Sequence, residues 1–374
     1  MAVGELRVRV LETADDVDET LRGLPAELRR DPFQGADWIE TWLAVRAAAR
    51  PRIVLAIVTP RTSDEILFAL PLTLGVRFGV PCWTALDDGV CDYNAPILAA
   101  DFAPDAATMR WIWARILDRL PGGDLVLLEK LPAHIAGRDN PLLLLDGLSP
   151  SRFDGHPIDL GDGIDTVRAG WRMGRTLLRK RRKLARKGEI CFEVLRGRAA
   201  AAELDRLMGW RDRRFDVRPI ISEFYRRLLR DTDMPRLGIL RLDGEMIAGC
   251  FGIVGAGSFR LLVVAFDEAR RNWSPGLLAI DAMIGWAAGE GYEEFDFTIG
   301  SEAYKFGFGV ATKPLWEIRR SLGLRGSFLL RLVGARRLAV DIARRTMPAF
   351  IAARARRREV GTVRAIVASE ASPP

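Results

Sequence analysis

The sequence predicts an α/β protein of two related units, each a mixed sheet flanked by helices, followed by a basic helical tail. Three observations lead there. The stretch 161–325 alternates helical and strand periodicities in the order β-α-α-β-β-β-α-β-α-β, counting its first strand at Glu189. Residues 1–160 echo that order weakly. Arginines then crowd the end of the chain, with eleven between Arg325 and Arg364 against only Asp341 and Glu359. The Gly- and Asp-rich run Gly155–Gly163 marks the boundary between units, near 150–165. The expected organisation is therefore 1–160, 161–325 and a tail over 326–374.

In the second unit, Thr166–Lys187 reads as one long basic helix and Glu189–Arg196 alternates as a strand. Helices follow over Ala199–Arg214 and Ser222–Arg230, with Pro219 separating them. Three strands come next: Leu237–Leu242, Met246–Val254 and Phe259–Phe266. Asp243-Gly244 makes the first hairpin turn. Leu277, Leu278, Ile280, Met283, Ile284, Trp286 and Ala287 form the apolar face of a helix that ends at Gly289 and Gly291. Glu294–Thr298 is a strand, Ser301–Phe308 a short helix and Leu315–Ser321 a closing strand. In the first unit, Leu6–Leu11 is a strand and Asp37–Ala48 a helix. Arg52–Val58 and Glu65–Thr73 form a hairpin, Met109–Leu120 is a helix, and Asp124–Glu129 is the strand after it.

Composition narrows the function. Hydrophobic residues at 49% and charged residues at 28% fit a globular protein with a real core. The four cysteines are scattered without a CxxC pair, as expected of reduced thiols in the cytoplasm. His134 and His156 have no ligand-spaced neighbour, so no metal is expected. Nothing resembles a signal peptide, and no apolar run reaches the roughly 18–20 residues that span a bilayer. The net charge of +7 is unevenly placed. Arg168–Gly188 carries ten basic residues and no acid, and Arg325–Arg364 is net +9, which leaves the remainder at −12. The first basic segment is either a solvated helix between units or a surface for RNA or anionic lipid. The second either packs on the body or lies on an anionic membrane, which would place the protein at the inner face of the membrane.

The chemistry concentrates in Ala265–Gly309. Arg271-Asn272-Trp273-Ser274-Pro275-Gly276 opens a helix, and helix N-termini attract phosphate through unpaired N–H groups and the positive end of the dipole. Ser274 is placed to cap that helix, and Pro275 sits where its missing N–H costs nothing to the helix but removes one phosphate donor. Tyr304 and Lys305 follow the next strand. A Tyr hydroxyl is a suitable proton donor to a leaving thiolate, and a lysine suits phosphates or a tetrahedral intermediate. The bland alternatives are a core aromatic and a solvated lysine. Asp296, between Phe295 and Phe297, faces either a cleft, as a general base, or solvent. Asp92 and Tyr93 lie in a polar turn, where an Asx turn is the bland reading.

The order of elements, the turn and the Tyr together resemble the GNAT acyltransferases. Their acyl-CoA signature, Arg/Gln-x-x-Gly-x-Gly/Ala, is matched at both ends by Arg271 and Gly276, with Ser274 for the middle Gly. Ser-Pro-Gly-Leu-Leu, followed by Phe-Asp-Phe-x-x-Gly-x-x-x-Tyr-Lys, resembles the BioF2-like branch. That branch includes the CelD proteins of cellulose and exopolysaccharide synthesis, and is similar in architecture to the double-GNAT FemAB aminoacyltransferases. The resemblance implies acetyl-CoA or another acyl-CoA as co-substrate, held by Arg271, Asn272, Ser274, Gly276 and Leu277. It implies Tyr304 as the proton donor to the leaving thiolate; beside it, Lys305 and Asp296 stand as the further catalytic candidates that the residues themselves offer. It makes Asp92, Tyr93 and Arg214 acceptor-side residues for an amine or hydroxyl of a small molecule or sugar. Two alternatives stand beside it: Fem-like aminoacyl transfer from tRNA, motivated by the basic helix, and a non-catalytic scaffold of a membrane polysaccharide synthase.

Overall fold

In the computed structural model the described residues are 3–25, 27–28, 30–214 and 218–332. Met1–Arg320 forms one compact unit and Ser321–Pro374 a second. Of the second, 324–332 is helical; most of the Arg-rich tail reading falls on 333–374, outside the described residues.

The first unit runs β1 (Leu6–Leu11), α1 (Ala14–Arg22), α2 (Ala36–Arg46), β2 (Arg52–Pro60), β3 (Phe68–Arg77), β4 (Val80–Ala85), β5 (Ile97–Leu98), α3 (Ala106–Leu117) and β6 (Leu125–Leu131). A small hairpin of β7 (His134–Ile135) and β8 (Arg138–Asp139) leads to β9 (Leu148–Asp159). There follow α4 (Ile164–Ala169), α5 (Gly174–Ala185), β10 (Ile190–Leu195), α6 (Ala201–Arg214) and α7 (Pro219–Asp231). Then come β11 (Pro235–Leu242), β12 (Glu245–Gly255), β13 (Ser258–Phe266), α8 (Pro275–Gly289), β14 (Glu294–Ile299), α9 (Ala303–Gly307) and β15 (Lys313–Ser321).

The architecture repeats. β1 to β4 form an antiparallel run and β4 pairs in parallel with β6. Likewise β10 to β13 are antiparallel and β13 pairs in parallel with β14. The two runs join in one mixed sheet, in the order β4-β6-β15-β9-β14-β13 across its middle. β9, from the first half of the sequence, lies between β14 and β15 of the second; β15 in turn lies between β6 and β9. The run expected at the boundary between units, Gly155–Gly163, begins inside this exchange. Gly155–Asp159 is strand, and Gly155 is needed there because a Cβ would meet the Tyr93 hydroxyl oxygen at 2.6 Å.

Alternation divides the core between the two faces of the sheet. Leu237 and Ile239 of β11 pack with Phe251, Val263, and the helix residues Trp38, Leu204 and Phe224. Leu240 and Leu242 pack with Cys250, Leu261, and Leu177, Leu278 and Met283 of the helices opposite. The expected single basic helix is two. α4 stops at Gly170, Trp171 turns inward to within 5.0 Å of the Phe308 ring, and α5 restarts after Met173, whose N–H donates to Gly307 O.

Candidate active site

β13 and β14 pair over only three residues, Ser258↔Glu294, Phe259↔Phe295 and Arg260↔Asp296. Beyond that the parallel strands part, so Leu261–Val264 and Phe266 on one side, and Phe297–Ile299 on the other, wall a cleft of about 710 Å³. The divergence is fixed locally. Thr298 takes a left-handed conformation at φ 56°, uncommon for a β-branched residue and worth about 1–3 kcal/mol of strain. Its N–H donates to Asp296 Oδ1 (2.8 Å) and its hydroxyl to Leu261 O (3.2 Å), which ties the bulged β14 back to β13.

Lys305 completes this brace. Its buried ammonium donates to Phe297 O (3.0 Å), Ile299 O (2.7 Å) and Gly300 O (3.0 Å), and Glu302 lies 3.0 Å away. Three donors meet three carbonyls, so no N–H is left for a phosphate or an intermediate. The geometry makes Lys305 a positioning residue rather than the catalytic one expected. Asp296 departs further from expectation. It is buried, accepts from the Tyr93 hydroxyl at 2.7 Å as well as from Thr298, and is absent from the cleft wall. Burial pushes its carboxyl up, while Arg260, paired with Asp31 beneath it, pulls the other way. Asp296 and Tyr93 thus join the halves of the sequence behind the cleft and do not face a substrate.

Arg271, Ser274, Gly276 and Leu277 stand on the cleft wall, at and just before the start of α8. Pro275 occupies the first turn and Leu278 N donates to Ser274 O. The N–H groups of Gly276 and Leu277 have no carbonyl a turn below them, which leaves two donors at the positive end of the helix. Gly276 is packed closely, since a Cβ there would lie 3.0 Å from the Phe266 ring. Ser274 does not cap the helix as expected. It is left-handed at φ 54°, and its hydroxyl accepts instead from Lys180 Nζ of α5 at 2.6 Å. The basic helix therefore reaches the α8 end of the cleft. Sequence reasoning missed Lys180, because helical periodicity cannot show which of ten cations points at a distant turn. Asn272 lies outside the cleft, in a neighbouring hollow with Trp273, Arg179, Lys180 and Lys183.

Tyr304 lies on the opposite wall, its ring 6.2 Å from that of Phe297. Burial, then Glu302 and Cys250, push its phenol well above the ordinary range, so it stays protonated. Asp92 reaches the same cleft from the loop between β4 and β5. Burial pushes its carboxyl up to about 6; Lys130 holds it from rising further, and Asp87 opposes Lys130. Lys130 itself is anchored by Asp87 at 2.6 Å and by Cys91 O. Burial alone would lower the Lys130 ammonium, but Asp87 and Asp92 outweigh it. Arg211 and Arg214 of α6 complete the wall. Among the described residues no cluster of His, Cys, Asp and Glu is arranged to hold a metal ion. No helix among them is long and apolar enough to cross a membrane.

Two open parallel pairs in one duplicated mixed sheet, one with a helix N-terminus at its mouth, define a double GNAT-like fold. Residues 172–306 match the family described as an acetyltransferase (GNAT) domain, a span that holds α5 to α8, β14 and most of α9. The solved structure of FemX is 14% identical, with 87% of this chain and 99% of that chain covered at a TM-score of 0.55. A conserved protein of unknown function from Bacteroides thetaiotaomicron is 12% identical, with 85% and 100% covered at a TM-score of 0.52. Both show likeness of fold. No curated protein matches the sequence.

Proposed function

We propose that the chain transfers an acyl group, acetyl as first choice, from a CoA thioester to an amine or hydroxyl of a small molecule or sugar. The observation that carries this is the splay of β13 from β14, with two unpaired helix N–H groups at one end and Tyr304 and Asp92 on its walls. A pantetheine arm fits between parting strands. Its pyrophosphate suits the Gly276 and Leu277 N–H groups, with Arg271 beside them. Asp92 takes the proton of the attacking acceptor as its N–H or O–H adds to the thioester carbonyl. The C–S bond then breaks, and Tyr304 gives its proton to the thiolate. In this reading the base is Asp92 and not Asp296, because Asp296 has both oxygens engaged and lies outside the cleft.

The resemblance to BioF2-like and CelD-like proteins supports exopolysaccharide or cellulose precursors as the setting, in the cytoplasm beside the inner membrane. The basic helix α5 and the shared fold with FemX favour, as a second reading, aminoacyl transfer from tRNA. The test that separates them is thermal stabilisation by CoA compounds against charged tRNA. A ligand at a hundred times its dissociation constant adds about 2.7 kcal/mol. A shift with CoA compounds alone supports the first reading; a shift with tRNA alone transfers the site to the second.

A further inference from the structure

We propose that the acceptor carries an anionic group, carboxylate or phosphate, close to its nucleophile, and that Arg211 with Arg214 binds it. The inference rests on the acyltransferase reading and names the acceptor class for the same cleft. Arg211 and Arg214 stand one turn apart on α6, so their side chains share a face, and both line the cleft. They are separate from Arg271, which lies at the start of α8 beside the proposed pyrophosphate site. Arg214 is partly engaged, 3.7 Å from Glu268 and over the Phe266 ring. Arg211 differs: its Nη1 is buried and meets no hydrogen-bond partner among the described residues.

Basic residues in the last turn of a helix complement its dipole, which accounts for arginines at the end of α6. It does not account for a buried guanidinium nitrogen left unpaired on a cleft wall, which costs stability until an acceptor oxygen fills it. Asp92 stands close enough for the buried Tyr225 phenol to feel both groups. Burial raises that phenol, Asp92 raises it further and Arg211 lowers it. A carboxylate for the nucleophile and a guanidinium for an anion thus flank one space. An acceptor with an amine or hydroxyl a few bonds from a carboxylate or phosphate fits both. On transfer its N–H or O–H proton passes to Asp92, the new C–N or C–O bond replaces the C–S bond, and the anion stays on Arg211 unchanged.

The experiment begins with a calorimetric titration of CoA, then titrates inorganic phosphate and, separately, acetate into CoA-saturated protein. One anion is expected to bind, and Arg211→Gln to weaken it about 10- to 100-fold, the range of a charged hydrogen bond. Arg211→Lys should fall between, and thermal melts confirm that both variants fold. Tighter phosphate than acetate assigns a phosphorylated acceptor; the reverse assigns a carboxylate. A second measurement compares phosphoethanolamine with ethanolamine, and glycine with glycinamide, as acceptors with acetyl-CoA. The member of each pair that bears the phosphate or carboxylate should be preferred. No anion binding to CoA-saturated protein, or unchanged binding in Arg211→Gln, overturns the proposal while the acyltransferase reading stands. No binding of CoA overturns the reading itself, and the proposal with it.

Discussion

In the proposed acyl transfer Tyr304 and Asp92 divide the two proton transfers, and their environments suit the division. Tyr304 is held protonated by burial, which suits an acid that must give its proton only to a thiolate. Tyr304→Phe is expected to lower kcat by about 10²–10⁴-fold with donor affinity unchanged, as read by steady-state kinetics and CoA titration. A loss under about threefold would return Tyr304 to a packing role. Asp92, raised to about 6, is ionised in most molecules at neutral pH and still basic enough to accept a proton. Its titration predicts that kcat/KM rises with pH through about 6 in the free enzyme, and that Asp92→Asn removes this limb. The same shift has a sign for stability. A carboxyl harder to ionise when folded contributes stability at pH below its unfolded value of about 4, and that contribution is lost as pH rises through 6. Asp92→Asn should therefore raise stability at pH 8 by about 3 kcal/mol and leave it little changed at pH 4. Denaturant unfolding at the two pH values checks this, and a destabilised variant at pH 8 would contradict it.

At the scale of elements, β14 and α9 act together. β14 is bulged at Thr298 beside the cleft, and the Lys305 ammonium braces it by gathering the carbonyls of Phe297, Ile299 and Gly300. Lys305→Met leaves those carbonyls buried without a donor and Glu302 without its cation. The expected cost is about 3 kcal/mol or more, seen as a melting temperature lower by about 5 °C or more, together with weaker donor binding. A variant that melts like the wild type would show the brace to be dispensable. These particulars explain what the sequence made legible. Strand, turn, helix, strand and short helix around Arg271–Tyr304 all follow from local periodicity and turn chemistry, and they appear where expected. The duties of Lys305, Asp296 and Ser274 do not, because each depends on which carbonyl, phenol or amine a distant segment brings within 3 Å. Asp92 and Arg214 entered only through a resemblance, and Arg211 and Lys180 gave no local signal.

Across the whole molecule, the two halves share their sheet by exchanging strands. β9 fills the gap beside β14, and β15 the gap beside β6, so neither half closes its own sheet. Glycine and aspartate in Gly155–Gly163 read as a boundary between units; what makes Gly155–Asp159 strand is pairing with β14 and β15, over a hundred residues away in sequence. Expressed alone, 161–332 would present β14 with an unpaired edge and is expected to aggregate or melt without cooperativity. Co-expression with 1–160 should restore a soluble complex on gel filtration. A soluble, cooperatively melting 161–332 fragment would contradict the exchange as a requirement for folding. The central claim is that the α8 N-terminus receives a CoA donor in the β13–β14 splay. Calorimetric titration of a CoA compound into wild type, Gly276→Ala and Gly276→Asp tests it most directly. The Ala variant reports the cost of a Cβ near the Phe266 ring; the Asp variant adds a carboxylate facing the phosphates. One-to-one binding in wild type, modestly weaker in Ala and abolished in a folded Asp variant, is the predicted result. Equal affinity in wild type and Asp, or no binding in wild type, would contradict it.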